Sequence, residues 1–247
     1  MTKFIEMIKH IPNTITLINA FCGCLCIVSL LTNQMGVVPW LIGIAMLADF
    51  LDGFVARLLK VSSPVGRELD SMADMVTFGV VPGVILYSLI NMTLGIEAVL
   101  WSKMHTWLGL AGFLVTVFAA LRLAMFNVDT RQSENFIGLN TPATTLLCTG
   151  LLLIVQDDSY GLGGFILQLP LLLGLVGLLS FLLVAEIPIF SLKFKGMKWG
   201  GNEIRWSFIL VSFLLLLLLK VGVAAVLIIL IYLLASILLW MGGRLKI

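Results

Sequence analysis

Long apolar runs, broken at short polar intervals, dominate the chain. A helix that crosses a bilayer needs about 20 mainly apolar residues. Runs of that kind cover roughly 12–33, 36–59, 67–91, 98–126, 141–156, 165–190, 205–219 and 221–241. The breaks between them carry turn-forming residues: Asn33-Gln34, Pro64 ahead of Gly66, Asn91 to Gly95, the polar stretch 127–140, Asp157 to Gly164, and a basic stretch 191–205. As a single helix, 205–241 would be about 55 Å long at about 1.5 Å per residue, so a hairpin turning near Lys220 to Gly222 is expected. The pattern predicts an all-α integral membrane protein with eight transmembrane helices. The first run is too long for a cleaved leader, and no small-x-small cleavage site follows it. Among the first ten residues, Phe4, Ile5 and Ile8 alternate with Lys3, Glu6 and Lys9. A short amphipathic helix on the inner face and a frayed terminus both fit.

Composition removes the soluble alternatives. Of 247 residues, 60% are apolar and 11% charged, where a soluble domain has about half and about a quarter. The mean hydropathy is +1.13. A net charge of +2 leaves no electrostatic footprint for nucleic acid. Cys22, Cys24 and Cys26 lie in one apolar run and Cys148 in another, which reads as small packing residues and not as a disulfide framework. Glycines such as Gly109, Gly112, Gly174 and Gly177 read as helix-packing notches. Asn91-Met92-Thr93 matches a glycosylation triplet, a pattern that chance also supplies.

The basic residues orient the layout. With the N-terminus in the cytoplasm and eight alternating helices, Lys3, Lys9, Arg57, Lys60, Arg67, Arg122, Arg131, Lys193, Lys195, Lys198, Arg205, Arg244 and Lys246 fall inside, and only Lys103 and Lys220 outside. The positive-inside rule asks for this split. Both termini are then cytoplasmic.

Most acids sit in loops or at helix ends. The exception is Asp49-x2-Asp52-Gly53-x2-Ala56-Arg57, followed by Gly66-x3-Asp70-x3-Asp74. Positions 49, 52, 53 and 56 follow i, i+3, i+4, i+7 and share one helical face, thinned by Gly53 and Ala56 so that a bulky ligand can reach the backbone. Asp70 and Asp74 share a face of the next helix. The link 58–65 is short, so the two helices run antiparallel and the four carboxylates can converge. An Asp near the bilayer centre costs roughly 2.5–3.5 kcal/mol, less near the interface, and like charges at close range repel. Only Arg57 and Arg67 are at hand to offset them. Such a cluster calls for hard divalent cations, one or two Mg²⁺ or Mn²⁺ ions, because its donors are carboxylate oxygens and neither His10 nor His105 is placed to join.

These residues resemble the signature of the CDP-alcohol phosphotransferases, membrane enzymes with a six-helix core that displace CMP from a CDP-linked group with an alcohol. The resemblance covers about 1–190 and implies a catalytic core there, preceded by the short amphipathic helix. A basic cytoplasmic loop, 191–204, and an additional transmembrane hairpin, 205–247, would follow. A second layer is similar to the branch of the family that joins CDP-diacylglycerol to serine: Glu68-Leu-Asp-Ser-Met-Ala-Asp-Met-Val-Thr-Phe-Gly-Val-Val-Pro82, Pro12-Asn13-Thr14-Ile-Thr16 with Asn19, Arg122-Leu-Ala-Met-Phe-Asn127, and Phe136-Ile-Gly-Leu-Asn-Thr-Pro142-Ala143. Met125, Asn140 and Thr77 depart from it, standing where Arg, Pro and Ser are common.

The resemblance implies two metal ions, one on Asp49, Asp52 and Asp70, the other on Asp49, Asp70 and Asp74. Gly53, Ala56, Arg57 and Gly66 would line the cytidine nucleotide of CDP-diacylglycerol, with Asn13 and Thr16 near its phosphates. Asp74 would be the general base, as its place one turn deeper than Asp70 also suggests. The family further implies a homodimer and a multi-pass protein of the cell (inner or plasma) membrane, its site facing the cytoplasm. L-serine brings a carboxylate that wants a cation. Arg122, an intramembrane cation, and Asn127 are the acceptor-site candidates. Arg131 reads equally well as an interfacial anchor. Glycerol 3-phosphate or inositol phosphate remain open as acceptors, since Arg67, Arg122 and Arg131 could meet a dianion. A divalent-cation transporter would need acidic or polar residues continuing to the outer side, and beyond the inner third the second and third helices are almost wholly apolar.

Overall fold

The computed structural model describes residues 10–61, 63–95, 106–129, 136–191, 199–243 and 245. The expected amphipathic helix before residue 10, and Arg131, lie outside the described residues. The longer helices among the described residues are α1 (Ile11–Leu31), α2 (Val38–Leu59), α3 (Pro64–Asp74), α4 (Val81–Leu94), α5 (Phe113–Val128), α6 (Thr141–Gln156), α7 (Leu169–Val184), α8 (Glu203–Leu218) and α9 (Val221–Met241). Pro12, Pro39, Pro64, Pro82, Pro142 and Pro170 stand in the first turns of six of them. A proline costs nothing there, because its missing N–H would have had no partner within the helix.

The chain is an all-α membrane protein. Among the described residues, five helical stretches are long and apolar enough to cross a bilayer: Ile11–Leu31, Met35–Leu59, Pro64–Leu94, Trp107–Val128 and Val221–Met241. Helices α6, α7 and α8 have 16 residues each, about 24 Å of helix. The turn expected near Lys220 is present: α8 stops at Leu218, Lys220 is extended, and α9 begins at Val221. The run expected to be helical to 190 ends at Val184 instead. Ala185 is extended, and Pro188–Ile189 forms a short strand (β2) pairing antiparallel with Phe136–Ile137 (β1). Pro188 supplies no N–H for a helix and disfavours helical backbone at Ile187.

The expected third helix contains a feature that its hydropathy pattern does not reveal. Helices α3 and α4 join through a π-helical segment, Met75–Val80, directly after Asp74. A π turn disrupts the regular i→i−4 pairing, and in an apolar slab loosened carbonyls need other donors. Neighbouring helices provide them. Thr145 Oγ1 lies between two acceptors, Thr141 O of its own helix at 2.9 Å and Phe78 O at 3.2 Å, and Thr116 Oγ1 donates to Gly79 O at 3.0 Å. Thr77 Oγ1 in turn donates to Asn19 O of α1 at 3.0 Å. Gly23 lets the segment come this close, since a Cβ there would stand 3.0 Å from Thr77 Cα.

Other close crossings also use small residues, as expected where lipid removes the hydrophobic drive between helices. A Cβ on Gly222 of α9 would lie 2.9 Å from Gly150 O of α6. A Cβ on Gly112 would lie 2.9 Å from Gly83 O. Gly109 abuts Asn91, which is buried at the end of α4 and so is no accessible glycosylation site. Gly174 and Gly177 depart from expectation: both are exposed on α7, and a Cβ at either would meet nothing within 4 Å. Along α7 the buried positions are Leu172, Val176 and Leu179, so the two glycines fall on the opposite face.

The Gly150–Gly222 crossing predicts that Gly222→Val forces α9 off α6. The expected cost is about 1–3 kcal/mol, read as a lower unfolding midpoint in detergent.

Candidate active site

Helix α2 delivers Asp49 and Asp52, then stops at Lys60, which takes the left-handed conformation at φ 52° and reverses the chain. Ser63 starts α3 by accepting a hydrogen bond from Gly66 N at 2.9 Å. Gly66 is confined, since a Cβ there would meet both Asn13 Oδ1 and Ser63 Oγ at 3.0 Å. The start of α3 is thereby pressed against the start of α1, and Asp70 and Asp74 follow one and two turns later.

Asp49, Asp70 and Asp74 each present a carboxylate oxygen, and these atoms lie within 4.8 Å of one another. Carboxyl groups gathered this closely repel one another unless a proton or a cation lies between them. Three hard oxygen donors, half-buried in apolar surroundings, fit a divalent metal ion. Asp52 stands outside that trio. It is buried, and it accepts a hydrogen bond from Thr16 Oγ1 at 2.6 Å. Thr16, expected near phosphates, is therefore placed on a carboxylate. Arg57 is exposed and folds back over Gly53, its Nη1 3.5 Å from where a Cβ would stand. Ala56 is half-buried one turn away on the same face.

Two residues acquire roles that the sequence did not assign. Asn19 of α1 is fully buried, and its Nδ2 donates to Asp74 Oδ1 at 3.4 Å while its Oδ1 has no partner. Its backbone carbonyl anchors Thr77 of the π segment. The available signal was the i, i+3, i+7 spacing of Thr16, Asn19 and Gly23, a polar and thin face on an otherwise apolar helix. Ser71 is the second: Asn127 Nδ2 donates to its Oγ at 2.9 Å, tying the end of α5 to α3 beside Asp70.

Arg122 lies on α5 and is only 6% exposed. Its guanidinium sits 5.8 Å from the centre of the Phe126 ring, and its Nε is buried without a hydrogen-bond partner. It is within electrostatic reach of Asp74 and of Tyr232 on α9. A buried guanidinium with an unused N–H, near the carboxylate trio, can receive an anionic group.

The trio predicts that Mn²⁺ raises the unfolding midpoint of the protein in detergent, by mass action on the folded state. Asp70→Asn should abolish that rise. Asp157→Asn, in a loop away from the trio, should retain it.

The family model for CDP-alcohol phosphatidyltransferase matches residues 9–178. A Bacillus subtilis (strain 168) protein named CDP-diacylglycerol–serine O-phosphatidyltransferase is 34% identical over 199 residues, covering 81% of this chain and 99% of that relative. A Helicobacter pylori (strain J99) protein of the same name is 35% identical over 193 residues, covering 76% of this chain and 74% of the relative. One from Saccharomyces cerevisiae is 34% identical over 163 residues, covering 60% and 55%. With the family model spanning more than half of its length, the chain belongs to the CDP-alcohol phosphatidyltransferase family.

Proposed function

We propose that the protein transfers the phosphatidyl group of CDP-diacylglycerol to the hydroxyl of L-serine, giving phosphatidylserine and CMP. The observation that carries this reading is the convergence of Asp49, Asp70 and Asp74 within 4.8 Å inside an apolar helix bundle. The names of the relatives in Bacillus and Helicobacter support the donor and the acceptor.

Phosphoryl transfer asks a protein mainly for positioning and charge neutralisation. Two ions, Mg²⁺ or Mn²⁺, held by Asp49, Asp52, Asp70 and Asp74 would clamp the pyrophosphate and stabilise the leaving CMP. Gly53, Ala56, Arg57 and Gly66 form the nucleotide side, with Asn13 next to Gly66. Thr16 acts on this side through Asp52, orienting its carboxylate. Asp74 accepts the proton of the serine hydroxyl, and Asn19 holds that carboxyl in place. Arg122 receives the serine carboxylate, and Asn127 borders the same side through Ser71.

The same reading divides the chain into a catalytic core, 1–190, a basic loop, 191–204, and a hairpin, 205–247. It counts eight membrane crossings, taking α6, α7 and α8 as short spans. Both termini and the site face the cytoplasm of a cell whose inner or plasma membrane holds the enzyme, and the family resemblance supports a homodimer. The charge split between the two sides supports the orientation. A reporter active only in the cytoplasm, fused after Ile247, should be active, and one inserted at Lys220 should not.

The reaction is tested with purified protein, CDP-diacylglycerol and Mn²⁺ or Mg²⁺, offering serine, glycerol 3-phosphate or inositol phosphate separately and measuring CMP release. Release with serine is expected. Release with glycerol 3-phosphate alone would keep the chemistry and overturn the acceptor. Asp74→Asn should lower turnover roughly 10²–10⁴-fold while CDP-diacylglycerol still binds. A fully active Asp74→Asn would exclude its role as base.

A further inference from the structure

The segment that follows α7 is gripped from two sides. On one side it holds the loop ahead of α6. Strand β2 pairs with β1 and Gly138 N donates to Ile187 O at 2.9 Å, while Leu139 N donates to Leu182 O, in the last turn of α7, at 2.8 Å. Gly138 has φ +74°, and a Cβ there would lie 2.7 Å from Leu183 O, so this contact admits only glycine.

On the other side the C-terminal hairpin takes hold of the same segment. The Tyr232 hydroxyl of α9 donates to Phe190 O at 2.9 Å. Phe190 N donates to Ser236 Oγ at 3.4 Å, and Ser236 Oγ donates to Tyr232 O at 2.7 Å. Arg205 Nε at the start of α8 donates to Ser191 O at 2.9 Å. The rings of Phe190 and Tyr232 meet edge-on with centroids 4.9 Å apart, and Phe208 of α8 packs against both at 5.6 Å. Tyr232 is only 6% exposed and lies within electrostatic reach of Arg122. The groups of this second grip all lie beyond residue 178, where the family match ends. The Bacillus relative, matched over 99% of its length, accounts for only 81% of this chain.

We infer that Tyr232 is a positioning residue for the acceptor: its hydroxyl fixes the Phe190 carbonyl, and through β2 the Phe136–Asn140 loop, so that the C-terminal hairpin sets how tightly the acceptor is held near Arg122. This builds on the serine-transfer reading, and it separates two tasks within the chain. The first three helices hold the metal and the nucleotide. The hairpin, through 185–191, shapes the side where the alcohol enters. A buried carbonyl that loses its donor carries the cost of an unmade hydrogen bond, which favours any shift of the segment that satisfies it.

The test is Tyr232→Phe in the full-length protein, which removes one hydroxyl and keeps the ring. The KM for serine should rise about five- to tenfold, the size of one lost hydrogen bond, while kcat and the KM for CDP-diacylglycerol stay within about twofold. Hydrogen exchange at the Gly138 and Leu139 amides should quicken, with protection across 64–74 unchanged. Unchanged serine KM with unchanged exchange would overturn the inference. So would a parallel loss in kcat, in both KM values and in thermal stability, which marks a purely structural residue. Serine-dependent CMP release by the unaltered protein judges the acceptor reading separately. The exchange measurement judges the role of Tyr232 whichever acceptor is used.

Discussion

Three carboxylates brought within 4.8 Å of one another inside an apolar bundle are the constraint around which the other features arrange themselves. In water such a group would spread apart or be screened. Among hydrocarbon it persists only if a proton or a cation offsets the charge and the surrounding helices hold the side chains against their repulsion. The surroundings meet that demand with short polar side chains. Thr16 holds Asp52, Asn19 reaches Asp74, and Asn127 pins Ser71 beside Asp70. Each contact fixes a rotamer or a helix position without bringing a second strong charge into the cluster, which leaves the carboxylate oxygens to a metal.

The π segment after Asp74 belongs to the same solution. It loosens the backbone pairing of a membrane helix immediately below the site, a costly choice in lipid unless every freed carbonyl finds a donor. Thr116 of α5 and Thr145 of α6 donate to its Gly79 and Phe78 carbonyls, and its own Thr77 donates to Asn19 O of α1, so the irregular turn also welds α1, α5 and α6 together. Small residues at Gly23, Gly83 and Gly112 permit the close approach that these short hydroxyls need. Polar satisfaction and tight packing are therefore one device here. The rigidity it gives is what a reaction based on positioning requires.

The two ends of the protein divide the labour. The region matched by the family model carries the aspartates and the glycines beside them. The C-terminal hairpin is joined to that region by α9 lying along α6 at Gly150–Gly222, and by the hydrogen bonds around Phe190. Helix α8 buries none of its residues in the chain and is held at its start by Arg205. The hairpin thus adds one well-docked helix and one peripheral helix to the bundle.

The sequence by itself determined the membrane class, the hairpin at Lys220 and the identity of the acidic cluster. Those properties depend on run length, on turn residues and on i, i+3, i+4 spacing, all of which are local. It could not foresee that Asp52 would be taken by Thr16, that Asn19 would face Asp74, or that the run to residue 190 would end at Val184 and pair as a strand. Nor could it distinguish Gly112, pressed against α4, from Gly177, which faces outward. Hydropathy records how apolar a position is, and lipid-facing and protein-facing positions are equally apolar. Only the packing of helices far apart in the chain decides which face meets a partner, which hydroxyl finds a carbonyl, and which carboxylates share one small space.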